Sequence, residues 1–173
     1  IEAHIRDLLD ALSTHFESSP YLLGERMSLA DCALMGPIHG HFFTDIESRQ
    51  QLLTTAVPVA AWVDRCNVPN ADQQGEWSAD DGVPPSLIEA LGVMGRDAAP
   101  AILAWVSDVE KWLDENPTHE GTLPRALGTT RSKLRGTDFF RMTLPYSLWM
   151  LQRSLDAYRA LGSDERTSVD KVL

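Results

Sequence analysis

Two histidines, His39 and His41, lie two residues apart in the stretch HGHFFTD, just before Asp45. Imidazole nitrogens and carboxylates are the ligands that zinc and related metals take from proteins. On a helix, however, residues two apart point to nearly opposite faces, because neighbouring side chains are spaced three or four residues apart. No further Cys or His set with zinc spacing follows in the sequence. We therefore predict no metal site at these histidines.

The other candidates for nucleophilic or acid–base chemistry are two cysteines and a pair of aspartates. A reactive cysteine needs accessible, electropositive surroundings. Cys32 and Cys66 both lie in apolar helical patterns, which predicts buried, unpaired thiols in an intracellular protein. Asp80 and Asp81 are adjacent carboxylates in a polar stretch. Neighbouring side chains in a loop usually point apart, so we interpret this pair as a solvated turn.

Ser28 and Asp31, in GERMSLADCAL, are residue types that occur in hydrolase triads. Their spacing is also that of a capping box, in which Ser28 accepts from the backbone N–H of Asp31 and Asp31 accepts from that of Ser28. An almost wholly apolar run follows, from Leu29 to Ile38, which predicts a buried helix whose first N–H groups cannot rely on water. We therefore interpret the pair as a structural cap.

A basic segment stands out in an acidic protein. The chain has 173 residues and a formal charge of −10, yet no acid occurs between Gly121 and Thr137. Two interpretations stay open: the segment folds over an anion, with Arg125, Arg141 and Arg153 as its binding residues, or it pairs with the chain's own acids. Its cationic side chains are Arg125, Arg131, Lys133, Arg135, Arg141 and Arg153.

The sequence predicts that the elements that position these residues are helices. Apolar residues recur three or four apart in most of the chain, and no strand alternation or repeat is evident. A second capping box, Ser86 with Glu89, predicts a short helix that stops near Gly92, after which Asp97 caps a longer one. Gly36-Pro37 predicts a kink. We expect an all-α bundle with helices over 1–16, 28–38, 47–56, 58–66, 86–92, 97–116 and 143–161, the last followed by Gly162 as C′ residue.

Composition restricts the function classes. A hydrophobic content of 43% suits a globular domain with a core. The negative net charge is opposite to that of a general nucleic-acid or anionic-membrane binder. No apolar run approaches the roughly 18 residues of a membrane span. Neither nucleic acid nor membrane is therefore expected as a partner.

Three landmarks occur together in this chain: the loop Tyr21-Leu-Leu-Gly24, the Ser28/Asp31 box, and a Pro-x-x-x-Trp-Val stretch from Pro58 to Val63. With them the sequence resembles the C-terminal, all-helical domain of the glutathione S-transferase family. The later stretches DDGVPPSLIEAL, LPRALG and RMTLPYSLWMLQR resemble a bacterial and fungal subgroup with an extended C-terminal region. The resemblance implies a helical domain over 1–162, with 118–142 an irregular basic segment and 163–173 a solvated tail.

The resemblance also implies a function. In this family the catalytic Tyr, Ser or Cys and most glutathione contacts belong to an N-terminal thioredoxin-like domain, and nothing in these residues matches it. The chain is therefore expected to contribute a pocket for a small hydrophobic electrophile and part of a homodimer interface to a cytoplasmic protein, with glutathione as the co-substrate. The resemblance assigns His39, Tyr146 and Trp149 to the pocket and no catalytic residue to this chain.

An alternative of a different class is also implied. Similar helical domains serve as non-catalytic protein–protein interaction modules, for example in translation elongation factor one-gamma and in some aminoacyl-tRNA synthetases. That role does not need the thioredoxin-like half. The removal of that half exposes apolar surface, so self-association is expected in either case.

Overall fold

The computed structural model describes residues 2–68, 70, 75–77 and 82–172, so Asp80 and Asp81 lie outside the described residues. An all-α fold is confirmed: the described residues form seven α-helices, one π-helix and a two-stranded hairpin. The chain divides into two compact units, unit 1 over 1–93 and unit 2 over 94–173. The elements are α1 (Glu2–Phe16), α2 (Leu29–Ile38), a π-helix (His39–Phe43), α3 (Ile46–Thr55), α4 (Val57–Asn67), α5 (Pro85–Glu115), β1 (Thr129–Leu134), β2 (Thr137–Met142), α6 (Pro145–Ala160) and α7 (Ser163–Asp170).

The core of unit 1 forms where α1 packs on α4. The Phe16 ring stacks on the Trp62 indole with ring centroids 4.9 Å apart. Leu12, Val59 and Val63 are fully buried beside them. Each burial of such a side chain contributes about 1.5–3 kcal/mol, so this contact supplies much of the stability of the unit.

The capping box at the start of α2 is present as predicted. Asp31 Oδ2 accepts from the backbone N–H of Ser28 at 2.8 Å and from its hydroxyl at 2.6 Å, and Asp31 N donates to Ser28 Oγ at 3.4 Å. The carboxylate also reaches two other elements. Its Oδ1 accepts from the backbone N–H of Leu22 and from Trp62 Nε1, both at 2.9 Å.

The prediction that α2 is buried on nearly all sides is wrong. Only Asp31 and Ile38 are buried in this helix, whereas Leu29 is 85% exposed. With 3.6 residues per turn, positions 31, 35 and 38 face α4 and positions 29, 32 and 33 face away from it. Cys32 is accordingly exposed, which corrects the expectation of a core thiol.

The predicted kink appears as a change of helix type. Pro37 has no N–H to donate within α2. The π-helix follows directly, and Thr44 N donates to His39 O five residues back at 3.0 Å. This wider turn carries both histidines of the HGH stretch.

The boundaries predicted around α5 are wrong. Ser86 does not cap a helix: it lies in the first turn of α5, and its Oγ is 2.9 Å from His15 Nδ1. The helix continues past Gly92 and through Asp97, because one glycine costs a helix only about 1 kcal/mol. Asp97 is buried in the helix interior, where it pairs with Arg135 of the hairpin at 2.8 Å.

The segment predicted to be irregular contains the antiparallel hairpin of β1 and β2. Its turn residues Arg135 and Gly136 both have positive φ, 51° and 82°, as a tight hairpin turn requires. The inward positions of β1 are Thr130 and Ser132, so the strand has no hydrophobic alternation to detect. Thr130 Oγ1 lies 2.7 Å from Thr143 Oγ1 instead.

The C-terminal end also differs from the prediction. Gly162 has a φ of −65° and is the N-cap of α7, not a left-handed C′ residue of α6. Residues 163–170 of the expected solvated tail are helical, and the side chains of α7 are exposed apart from a half-buried Val169.

Replacement of Asp31 by Ala leaves four buried donors without this acceptor: Ser28 N–H and O–H, Leu22 N–H and the Trp62 indole N–H. Each unsatisfied donor costs about 1–3 kcal/mol, so we expect Asp31→Ala to lower the free energy of unfolding by about 3 kcal/mol or more. The measurement is chemical denaturation followed by far-UV circular dichroism.

Asp45→Ala is the matched control. Asp45 caps α3 through Ser48 N at 3.0 Å but is exposed. Loss of an exposed cap costs less than loss of a buried carboxylate with several donors, because water can replace the lost acceptor. Equal losses for the two variants would show that Asp31 acts as an ordinary cap.

Candidate functional site

The structure brings together only some of the residues assigned to a site from the sequence. Tyr146 and Trp149 lie on α6 in unit 2, with ring centroids 5.7 Å apart, and they are 65% and 51% exposed. His39 belongs to unit 1, where its ring stacks on Phe43 at 5.8 Å. Tyr146 and Trp149 are thus close together but exposed, and the pocket assigned to the three residues stays a prediction.

The arginines of the predicted anion site stack on aromatic rings. The Arg141 guanidinium lies 5.3 Å from the centre of the Trp105 ring, and that of Arg153 lies 5.3 Å from the Trp149 ring. Arg125 is exposed in the segment that precedes β1. Cation–π contacts hold a guanidinium in place while its N–H groups stay available to an acceptor.

Two side chains of the basic segment pair with the chain's own acids, and the anion site stays a prediction. Arg131 pairs with Asp138 across the hairpin, and Arg135 pairs with Asp97. The Arg131 guanidinium also holds the pKa of the Asp138 carboxyl below its usual value. Part of the segment therefore pairs with the chain's own acids, while Arg141 and Arg153 contact aromatic rings.

A groove between α5 and α6 was not found by sequence reasoning. It has a volume of about 350 Å³ and lies wholly within unit 2. Six of its lining side chains are apolar, and two serines, Ser147 and Ser154, supply hydroxyl groups on α6. The lining residues are Ile102, Trp105, Val106, Ser147, Leu148, Met150, Leu151 and Ser154.

The groove is of a size and composition that suit a small apolar molecule. It shares Trp105 with the Arg141 stack, and its residue Met150 directly follows Trp149 in α6. Helical periodicity predicted apolar faces on both helices, but sequence alone does not say that these faces leave a gap. A groove requires the pairing of α5 with α6, which is a tertiary property.

Unit 1 has a cavity of similar volume with a different lining. It lies between Pro20, Tyr21 and Glu25 on one side and Arg65 on the other. Arg65 Nε donates to the Pro20 carbonyl at 3.1 Å. The lining of this cavity is polar, and the Arg65 guanidinium already donates to a backbone carbonyl. The unit 2 groove is therefore the better candidate for an apolar ligand.

The described residues offer no grouping of three or more His, Cys, Asp or Glu side chains that could hold a metal ion. His41 is exposed on the π-helix. Within the described ranges, none of the helices combines the length and the apolarity needed to cross a bilayer.

The two thiols have different environments. Burial raises the pKa of Cys66 to about 12, and the negative charge of Asp31 acts in the same direction. Burial also raises the pKa of the Tyr21 hydroxyl. Cys66 thus stays a protonated core side chain, as the sequence predicted, and is not a nucleophile at neutral pH.

We therefore expect one fast-reacting thiol in the folded protein. A maleimide can reach an exposed thiol but not a buried one, so Cys32 reacts in the folded protein while Cys66 reacts only after denaturation. Mass spectrometry of the labelled protein measures this. Cys32→Ser is the control and should leave the folded protein unlabelled. Rapid labelling of Cys66 in the folded state would contradict the burial argument.

Comparison with known proteins matches the N-terminal part of the chain to one family. Residues 2–68 match the model of the family described as "Glutathione S-transferase, C-terminal domain". A curated relative, Glutathione S-transferase F14 of Arabidopsis thaliana, is 38% identical over 61 residues. The match covers 35% of this chain and 24% of the relative's length. No solved structure matches the chain significantly. The matched residues 2–68 include the Asp31 capping box and its Trp62 partner, so this part of the chain is similar to a glutathione S-transferase C-terminal domain.

Proposed function

We propose that this chain is the apolar-ligand-binding and dimerisation part of a glutathione S-transferase-like protein. The parent reaction would be the attack of the glutathione thiolate on a small hydrophobic electrophile. The observation that supports this proposal best is the apolar groove of about 350 Å³ between α5 and α6. Its six apolar lining side chains suit such a substrate, and its serine hydroxyls could orient a polar substituent.

The chemical step itself is assigned to residues outside this chain. Activation of a thiol needs a donor or a cation that stabilises the thiolate. The candidate thiol Cys66 is protonated and buried, and the Ser28 hydroxyl already donates its hydrogen bond to Asp31. The chain's part in the proposal is to bind the electrophile and exclude water from it. Arg141 and Arg153 would attract a carboxylate of glutathione, and the free thiols suit the cytoplasm.

The alternative is a non-catalytic interaction module. The exposed aromatic side chains of α6 favour it, because exposed aromatic surface is typical of protein–protein contacts. The two functions differ in what the groove does. A substrate groove binds small apolar molecules, whereas an interaction module requires only the outer surface.

A groove-filling substitution tests the leading proposal. Ser154 lines the groove and is exposed, so Ser154→Trp should fill the space without disturbing the core. We expect the wild-type chain to bind a neutral nitroaromatic compound and Ser154→Trp to weaken this binding about tenfold or more. The measurement is quenching of the tryptophan fluorescence, since Trp105 lines the groove.

Ser107→Trp is the matched control, because Ser107 is an exposed α5 residue that is not part of the lining. It should bind like the wild-type chain. The proposal would be wrong if the wild-type chain failed to bind the nitroaromatic compound, or if both variants lost binding equally.

A calorimetric titration with glutathione tests where its site lies. We expect no saturable binding to this chain at millimolar glutathione, because the proposal places most glutathione contacts outside it. Clear binding that Arg141→Gln abolishes would instead place a glutathione site within unit 2. The assignment of most glutathione contacts to residues outside this chain would then be wrong.

A further inference from the structure

The indole N–H of Trp105 is a buried donor without an acceptor. Trp105 is half-buried in the wall of the groove between α5 and α6, and its Nε1 makes no hydrogen bond within the described residues. A buried N–H that loses water without gaining a partner is costly, and folded proteins keep few of them. A donor of this kind in the wall of a groove indicates that a bound molecule supplies the acceptor.

The polar groups of the groove are donors or hydroxyls. Ile102 and Val106 line it from α5 beside Trp105, so the indole N–H is the polar side-chain group of that wall. Ser147 and Ser154 line it from α6, and their hydroxyls can donate or accept. Among the lining residues that the structure describes there is no carboxylate and no side-chain amide. A ligand that complements this lining therefore brings its own acceptor.

A cation lies on the same indole ring. The exposed Arg141 guanidinium is 5.3 Å from the centre of the Trp105 ring. The hairpin arginines Arg131 and Arg135 pair with acids of the chain, whereas Arg141 contacts no carboxylate within the described ranges. Hydrogen bonds between a guanidinium and an anion are stronger than those to a neutral acceptor. The guanidinium therefore favours an acceptor that carries negative charge.

We propose that the ligand of this groove is an apolar organic acid, whose carboxylate accepts from Trp105 Nε1–H and pairs with Arg141. The proposal rests on the proposed apolar-ligand groove and specifies the chemical class of its substrate. Its apolar body lies against side chains such as Leu148 and Leu151. A carboxylate that leaves water needs donors in exchange, and the indole N–H and the guanidinium supply them.

Access of the carboxylate to the indole N–H depends on a side-chain movement. The N–H is closed to water in the structure, so a neighbouring side chain must move before a ligand reaches it. Arg141 is exposed and lies on this ring, and its long side chain has freedom to turn. In the proposal it leaves the face of the indole and pairs with the incoming anion, which exchanges a cation–π contact for a charge-assisted hydrogen bond.

The test compares para-nitrobenzoate with para-nitrobenzamide, which share a ring and nearly the same shape but differ in charge. Isothermal titration calorimetry of the full chain should show that the benzoate binds about tenfold or more tightly than the amide. Raised salt should narrow this difference, because salt screens an exposed guanidinium. Arg141→Gln should bring the two affinities close together.

Trp105→Phe keeps an aromatic ring in the wall and removes the N–H. It should weaken binding of the benzoate about tenfold and that of the amide by less, because a hydrogen bond to an anion is the stronger one. Trp112→Phe is the matched control, since Trp112 lies on the same helix outside the groove lining, and it should bind both compounds like the wild-type chain. Circular dichroism checks that all variants keep the wild-type helix content.

Nuclear magnetic resonance of the chain with nitrogen-labelled tryptophan gives a direct readout of the donor. The signal of Trp105 is the indole signal that is missing in Trp105→Phe. The benzoate should move it downfield, because a hydrogen bond to an anion deshields the shared proton. A Trp105 signal that saturating benzoate leaves unchanged would overturn the assignment of this N–H as the donor.

The remaining outcomes separate this proposal from the broader one. If both compounds bind equally and Trp105→Phe changes neither affinity, the carboxylate proposal is overturned while the apolar groove stands. If neither compound binds, the carboxylate proposal and the ligand-binding function both fail. Glutathione is the competing source of a carboxylate. Displacement of para-nitrobenzoate by glutathione would assign the carboxylate site to glutathione and overturn the proposal that the apolar ligand carries the acid.

Discussion

The buried carboxylate of Asp31 is the interaction on which unit 1 depends. It is fully buried, and it accepts hydrogen bonds from the start of α2, from the loop at Leu22 and from Trp62 of α4. A carboxylate is stable in the core only when its oxygen atoms receive hydrogen bonds. The three elements that donate to Asp31 must therefore be in place together. The Trp62 ring then stacks on Phe16, which extends the constraint to α1.

The sequence predicted this centre because its signals are local. A capping box needs only residues three apart, and the apolar stripes of α1 and α4 follow from 3.6-residue periodicity. The resemblance to the transferase C-terminal domain rests on the same residues, and the family match over 2–68 covers them. The partners of Asp31 in the loop and in α4, by contrast, are nine and thirty-one residues away, and no local signal names them.

What the sequence could not predict is decided by contacts between distant elements. Apolar residues on all sides of α2 predicted burial, but the elements that pack on it cover only the side of Ile38, and Cys32 faces outward. The hairpin was missed because Thr130 and Ser132 are its buried residues. The candidate groove depends on how α5 and α6 pair, and two apolar faces predict contact as readily as a gap.

The ion pair between Arg135 and Asp97 has a consequence for the order of folding. The hairpin is local and closes over a two-residue turn, so it can form on the microsecond scale. The bond from Arg135 to Asp97 of α5 joins residues 38 apart. Closing a loop of that length costs conformational entropy, which the contacts within the hairpin do not offset. The hairpin can therefore form before Arg135 reaches Asp97, which makes this ion pair a late contact in the folding of unit 2.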